Sequence, residues 1–244
     1  MERIILCHRG FIRSKENTLE SLTNIISDSR FKIGIEFDVQ FLKDGNIVCF
    51  HDESLKRLYN ENTILEDNEI KTFDKYDIPL LTSVLDYYRD KKEYILNIEL
   101  KNYNLGLRYV LFCKSIFNLI NKFDMLENII LSSFDNNIVK ELTSYQNINT
   151  GLIVYQDYNL DDFKLLNCKY LIVNKEIFMH LIKTSEIDQI NNKHIFVYTL
   201  FDTSKKEISE DQQLDYDILK VIKNRKNIGL ITDDFIETKN FFNS

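Results

Sequence analysis

Short runs of β-branched and other apolar residues alternate with longer segments of helical period along the whole chain, and this alternation limits the fold more than any other feature. Eight runs read as strands: Arg3 to His8, Ile33 to Phe41, Tyr94 to Lys101, Asn128 to Phe134, Gly151 to Tyr155, Tyr170 to Val173, Ile195 to Leu200 and Ile228 to Thr232. A strand followed by a helix and another strand places the two strands parallel, with the helix covering one face. Eight such units within 244 residues match the size at which a parallel sheet closes on itself and buries one core. The expected fold is α/β, a single (β/α)8 barrel over residues 1–244. An apolar share of 44% and a charged share of 28% fit such a globular chain and exclude disorder or a membrane bundle.

Local signals add detail. Ile47 to Phe50 reads as an extra strand, hairpinned to the second through Lys43-Asp44-Gly45-Asn46, where Asp-Gly supplies the turn. Asn17, with Glu20 three residues on, is arranged like a capping box, and Leu19, Leu22, Ile25 and Ile26 recur at helical spacing. These residues predict a helix from Thr18, with Asn17 as its cap. The single proline, Pro79, ends a polar stretch over 53–78 that is longer than an ordinary connection. It is expected to be a short excursion after the second strand, lying over the barrel mouth.

A net charge of −7 argues against nucleic acid as a partner, because neutralising a phosphate backbone needs clustered Lys and Arg. Any phosphate bound here is expected to be small and locally held. The densest charged stretches, Arg89 to Glu93 and Lys205 to Glu210, are mixed in sign and read as solvated surface. Four cysteines, Cys7, Cys49, Cys113 and Cys168, sit in apolar segments without a C-x-x-C pair and read as buried reduced thiols. That reading, with no signal-like leader and no run of about eighteen apolar residues, predicts a cytoplasmic protein without a membrane span.

Side chains of a strand alternate between faces, so the third strand sorts into Tyr94, Leu96, Ile98 and Leu100 on one side and Ile95, Asn97, Glu99 and Lys101 on the other. The first set can pack on helices. The second puts a carboxylate and an ammonium inside a barrel, where charge must be compensated. Glu36 and Asp38 share one face of the second strand. Three carboxylates at the carboxyl ends of neighbouring strands form an all-oxygen site suited to one divalent cation, Ca2+ or Mg2+. His8 ends the first strand, and His51 precedes Asp52 after the extra strand. Two imidazoles there can serve as general base and general acid, and Arg9 and Lys101 can hold phosphate oxygens. His180 and His194 read as structural residues.

Several motifs in order resemble the glycerophosphodiester phosphodiesterase family. They are His8-Arg9-Gly10, Glu16-Asn17-Thr18, Glu36-Phe37-Asp38-Val39-Gln40, Lys43-Asp44-Gly45, His51-Asp52, Ile78-Pro79-Leu80-Leu81, Glu99-Leu100-Lys101 and Ser133-Phe134-Asp135. Ile231-Thr232-Asp233 extends the match more faintly, so nearly the whole chain is covered. The resemblance implies a TIM barrel that hydrolyses a small glycerophosphodiester to glycerol 3-phosphate and an alcohol. It also implies metal ligands at Glu36, Asp38 and Glu99, catalytic histidines at His8 and His51, and phosphate contacts at Arg9 and Lys101. Glu16 and Asp52 fall at supporting positions, and Phe134 and Tyr198 at the pocket wall.

The chain departs from the family pattern at Lys15, Tyr198, Phe201 and Phe235, where the family has proline, tryptophan, asparagine and proline. Tyr198 still walls a pocket but changes its shape, which points to an atypical leaving-group side. Two other functions compete: cleavage of a surface polymer containing glycerol phosphate, and a catalytically silent barrel that binds phosphodiesters or a protein partner. Loss of a metal carboxylate or a histidine would favour the silent barrel, and neither is lost.

Overall fold

A computed structural model describes residues 3–11, 15–24, 26–155, 159–190, 192–201, 210–223, 225 and 227–243. Its strands are β1 (Ile4–His8), β2 (Lys32–Phe41), β3 (Ile47–Cys49), β4 (Ile95–Leu100), β5 (Ile129–Ser133), β6 (Asn149–Val154), β7 (Tyr170–Asn174), β8 (His194–Leu200) and β9 (Ile228–Thr232). All but β3 run parallel, in the order β1-β9-β8-β7-β6-β5-β4-β2, and β1 pairs with β2 to close the ring. The eight expected strands are therefore the eight staves of a barrel, with their ends moved by a residue or two.

Helices cover the outside: α1 (Leu19–Thr23), α3 (Leu81–Tyr88), α4 (Tyr109–Lys122), α5 (Asn136–Leu142), α6 (Leu160–Leu165), α7 (Lys175–Lys183), α8 (Glu210–Ile222) and α9 (Phe235–Asn243), while the short α2 (Lys56–Tyr59) lies in the segment after β3. Leu96, Ile98 and Leu100 of β4 pack outward against Val84, Leu85, Phe112 and Ile116, as the alternation predicts. The lower barrel interior is filled by Leu6, Ile95, Ile130, Ile153, Tyr170, Ile172, Phe196 and Ile231. All four cysteines are buried and unpaired by disulfides. No described helix is long and apolar enough to cross a membrane.

Two features shape the mouth. The strand β2 is ten residues long, against five or six in its two barrel neighbours, and its upper end pairs with antiparallel β3 beyond the barrel rim. Gly45, at φ +87°, turns the hairpin, and the returning chain donates from Phe50 N to the Asp38 carbonyl at 3.0 Å. Gln40 Nε2 stitches the return by donating to the carbonyls of Phe50 at 3.0 Å and Asp52 at 2.7 Å. His51 is thereby brought back to the level of Asp38. In segment 53–78, Leu55, Leu65, Phe73 and Ile78 form a small apolar cluster with Leu42, Val48 and Phe50. Its Glu66 accepts from the backbone N–H groups of Tyr103 at 3.1 Å and Asn104 at 2.7 Å, in the loop after β4.

The first helix differs from expectation. Its cap is Thr18, whose Oγ1 accepts from Ser21 N, and it ends at Thr23. Asn17 is left-handed at φ +58° and spends its amide on Asp38, so the hydroxyl one residue later takes the cap position. Glu20 pairs with Lys15 instead of closing a box. Ile25 and residues 205–209 of the second charged stretch lie outside the described residues.

Glycine is required where β2 meets β4. A Cβ on Gly34 would lie 1.8 Å from the Ile95 carbonyl oxygen and 2.8 Å from Leu6 Cδ2, so the strands could keep neither register nor spacing. Gly34→Ala should destabilise the protein by about 3 kcal/mol or more, the upper range for overpacking, measured by urea unfolding. A midpoint equal to that of the parent would show that the barrel accommodates the methyl.

Candidate active site

Barrel closure determines which residues meet at the mouth. In the parallel registers His8 lies beside Glu36, and Asp38 beside Glu99. Glu36, Asp38 and Glu99 are 3%, 1% and 7% exposed, and one carboxylate oxygen from each lies within 4.8 Å of the others. Burial and the charge of Asp38 push Glu36 up to about 8, and burial pushes Glu99 up to about 7. Burial also acts on Asp38, but the charges of Lys101, His51 and Arg9 hold it well below the usual carboxylate range. Lys101 Nζ is 3.0 Å from Asp38 Oδ1 and pairs with Glu99 Oε1. A compact, buried, all-oxygen trio in which burial raises both glutamates fits a hard divalent cation.

Asn17 orients the central carboxylate from both sides. Its Nδ2 donates to Asp38 Oδ2 at 2.9 Å, and its Oδ1 accepts from Asp38 N at 3.2 Å. Arg9, left-handed at φ +55°, donates its backbone N–H to Glu36 Oε2 at 3.3 Å. Its guanidinium donates to Glu16 Oε1 at 3.1 Å and brings Nε to 3.4 Å from Asp38 Oδ2. Arg9 Nε is buried and makes no hydrogen bond, only this longer ion pair to Asp38.

The two imidazoles are braced alike. His8 Nδ1 lies 2.6 Å from Asp233 Oδ1, and His51 Nδ1 lies 2.6 Å from Asp52 Oδ1. An ionised carboxylate only accepts, so each Nδ1 carries the hydrogen and each Nε2 is left to exchange a proton. His8 Nε2 is 3.8 Å from Glu36 Oε2. Burial lowers His8, but the hydrogen bond to Asp233 and the charge of Glu36 outweigh it and leave the group above its ordinary value. Burial lowers His51, and the charge of Asp38 does not restore it. The pair is thus driven apart, an arrangement in which one imidazole could accept a proton and the other donate one.

Phe134 is half exposed, with its ring 5.8 Å from Lys101 Nζ, and lines a cavity of about 400 Å3 with Glu99, Lys101, Tyr103 and Asp135. Tyr198 packs on the barrel interior and donates its hydroxyl to the Val154 carbonyl at 3.0 Å. The other departures from the family pattern fall elsewhere. Phe201 and Phe235 are buried among outer helices, and Lys15 is exposed on Glu20. His180 is exposed on α7, and His194 sits at the amino end of β8, away from the mouth.

Three residues of this constellation had no assigned role from sequence. Asp233 follows β9, which closes on β1 with Cys7 opposite Thr232, and that register was the available signal. Arg57 reaches Asp52 and Glu16, and Tyr103 donates its hydroxyl to the His51 carbonyl at 2.5 Å. Arg57 comes from a helix of four residues and Tyr103 from a loop, too short or irregular for periodicity to fix direction.

A model of the glycerophosphoryl diester phosphodiesterase family matches residues 8–237. A glycerophosphodiester phosphodiesterase of Bacillus altitudinis is 33% identical over 144 residues, covering 53% of this chain and 57% of that protein. The matches span 57% to 62% of the curated relatives' own length. The solved glycerophosphodiester phosphodiesterase of Thermotoga maritima is 25% identical with a TM-score of 0.71, covering 100% of this chain and 98% of that one. An Oleispira antarctica phosphodiesterase, solved with the product sn-glycerol-3-phosphate, shares the fold at 19% identity and a TM-score of 0.76, covering 100% of this chain and 98% of that one. With its motifs in order on a closed barrel, this chain belongs to the glycerophosphoryl diester phosphodiesterase family.

Proposed function

We propose that this chain hydrolyses glycerophosphodiesters to glycerol 3-phosphate and an alcohol, with a divalent cation and a pair of histidines. The observation that carries the reading is the pair of carboxylate-braced imidazoles beside a buried carboxylate trio. Family membership, and the glycerol 3-phosphate named for the Oleispira antarctica neighbour, support the substrate class. Residues 53–78 read as an insertion over the mouth.

Glu36, Asp38 and Glu99 would hold one Ca2+ or Mg2+. Such an ion supplies positive charge to a phosphate oxygen and acidifies a neighbouring hydroxyl. The chain's own groups do the rest. Arg9 and Lys101 hold equatorial oxygens of the phosphate and offset charge as it builds up. His51, kept neutral by burial, accepts on Nε2 the proton of the glycerol 2-hydroxyl as that oxygen attacks phosphorus. His8, whose Asp233 partner favours the imidazolium, donates a proton to the departing alcohol oxygen, and water then opens the cyclic glycerol phosphate to glycerol 3-phosphate with the two histidine roles reversed. Glu16 steadies Arg9 and Asp52 steadies His51. Phe134 and Tyr198 wall the pocket.

The test is release of glycerol 3-phosphate from a panel of glycerophosphodiesters, with EDTA and with Ca2+ or Mg2+ restored. Turnover should disappear in EDTA and return with one of the ions. A panel that stays flat under all conditions would leave a phosphodiester-binding barrel instead.

The cation should also stabilise the fold in a pH-dependent way. Glu36 titrates near 8 when folded, above its unfolded value, so the cation-free protein loses stability as pH rises from about 4.5 through 8. Ion binding needs the ionised trio, so the melting-point increase on adding the ion should be larger at pH 8 than at pH 6. Calorimetry showing equal increases at both would rule out proton displacement from the trio.

Loss of either imidazole should lower kcat by at least about a hundredfold, the scale of a missing general acid or base. Initial rates of His8→Ala, His51→Ala and the exposed control His180→Ala would measure this. A control that falls as far as the pair would break the assignment.

A further inference from the structure

We propose that Arg57 is a positioning residue that aligns His51 and Arg9 through Asp52 and Glu16, a role that rests on the function proposed above. Arg57 is the second residue of α2, in the segment that follows His51. One edge of its guanidinium forks onto Asp52: Nε donates to Oδ2 at 2.6 Å and Nη2 to Oδ1 at 3.2 Å. The other edge grips Glu16, with Nη1 donating to Oε2 at 3.0 Å and Nη2 to Oε1. Each carboxylate passes the restraint on. Asp52 Oδ1 holds His51 Nδ1 at 2.6 Å, and Glu16 Oε1 holds Arg9 Nη1 at 3.1 Å.

One planar cation therefore couples two parts of the mouth that arrive from different elements. Arg9 and Glu16 belong to the connection after β1, whereas His51 and Asp52 arrive on the return of the β2–β3 hairpin. Asp52 and Glu16 both accept from Nη2, so without Arg57 two carboxylates would face each other unshielded. Each would be free to rotate and take its imidazole or guanidinium with it. A lysine cannot replace this, because an ammonium is a point donor and cannot fork onto two carboxylates at once.

Stability alone does not account for such a network. The Arg57 side chain is 47% exposed, and ion pairs that exposed contribute little to folding. Its geometry serves alignment, since an imidazole must be held within a narrow angle to exchange a proton with substrate.

Arg57→Ala should lower kcat for glycerol 3-phosphate release by about 10- to 100-fold, the usual effect of removing an outer partner of a functional group, with kcat falling further than KM rises. Methylguanidinium should restore part of that loss and methylammonium none. Arg57→Lys keeps the alkyl stem and the charge, holds the unfolding midpoint, and should stay as slow as the alanine variant. In protein carrying 15N-labelled histidine, the ring-nitrogen signals of His51 should move in Arg57→Lys while those of His8 stay fixed. A kcat within about twofold of the parent in both variants, or an unmoved His51 signal, overturns the proposal. If the parent itself releases no glycerol 3-phosphate, the proposed function fails, and the His51 signal still decides whether Arg57 positions the imidazole.

Discussion

Three buried carboxylates within 4.8 Å of one another repel, and most of the barrel mouth answers that repulsion. Lys101 sets its ammonium against two of them, and Asn17 clamps the third side of Asp38. Arg9 turns into a left-handed backbone conformation and gives its N–H to Glu36. Such strain persists only where the surroundings impose it. Here barrel closure imposes it, because β1, β2 and β4 must be neighbours before any of these groups can meet.

The same repulsion explains why cations and carboxylates alternate outward from the centre. Asp38 faces Arg9, Arg9 faces Glu16, Glu16 faces Arg57, and Arg57 faces Asp52, which ends on His51. Each link lowers the cost of burying its neighbour. The chain of contacts thus reaches from the buried trio to a half-exposed imidazole without a break.

The barrel was legible because its information is periodic. Alternating faces on β4 separated Leu96, Ile98 and Leu100 from Ile95, Asn97 and Glu99, and the packing follows that division. The carboxylates and histidines were legible because they stand at strand ends, where direction is known once the face is known. What escaped lies in short or irregular segments. Nothing in the residues 15 to 18 announces that Asn17 turns left-handed and binds Asp38 while Thr18 caps the helix. Arg57 sits on a helix of four residues, too short to show a face, and Tyr103 on a loop. Asp233 needed the β1–β9 register, a contact between the two ends of the barrel that no local pattern carries.

The hairpin that overshoots the rim divides the mouth into two mechanical parts. His8 and the carboxylate trio are carried on or directly beside the closed ring, whereas His51, Asp52 and Arg57 are carried on or beyond β3, which pairs with β2 and, on its other side, only with a single bridge from Val48 to Leu80. A short strand held by one ladder and one bridge opens at lower free energy than a closed sheet. Opening of the hairpin would therefore remove one imidazole, its brace and the clamp together, while the barrel and its carboxylates stayed intact. Loss of the proposed acid–base pair and global unfolding would in this sense be separate transitions of one chain.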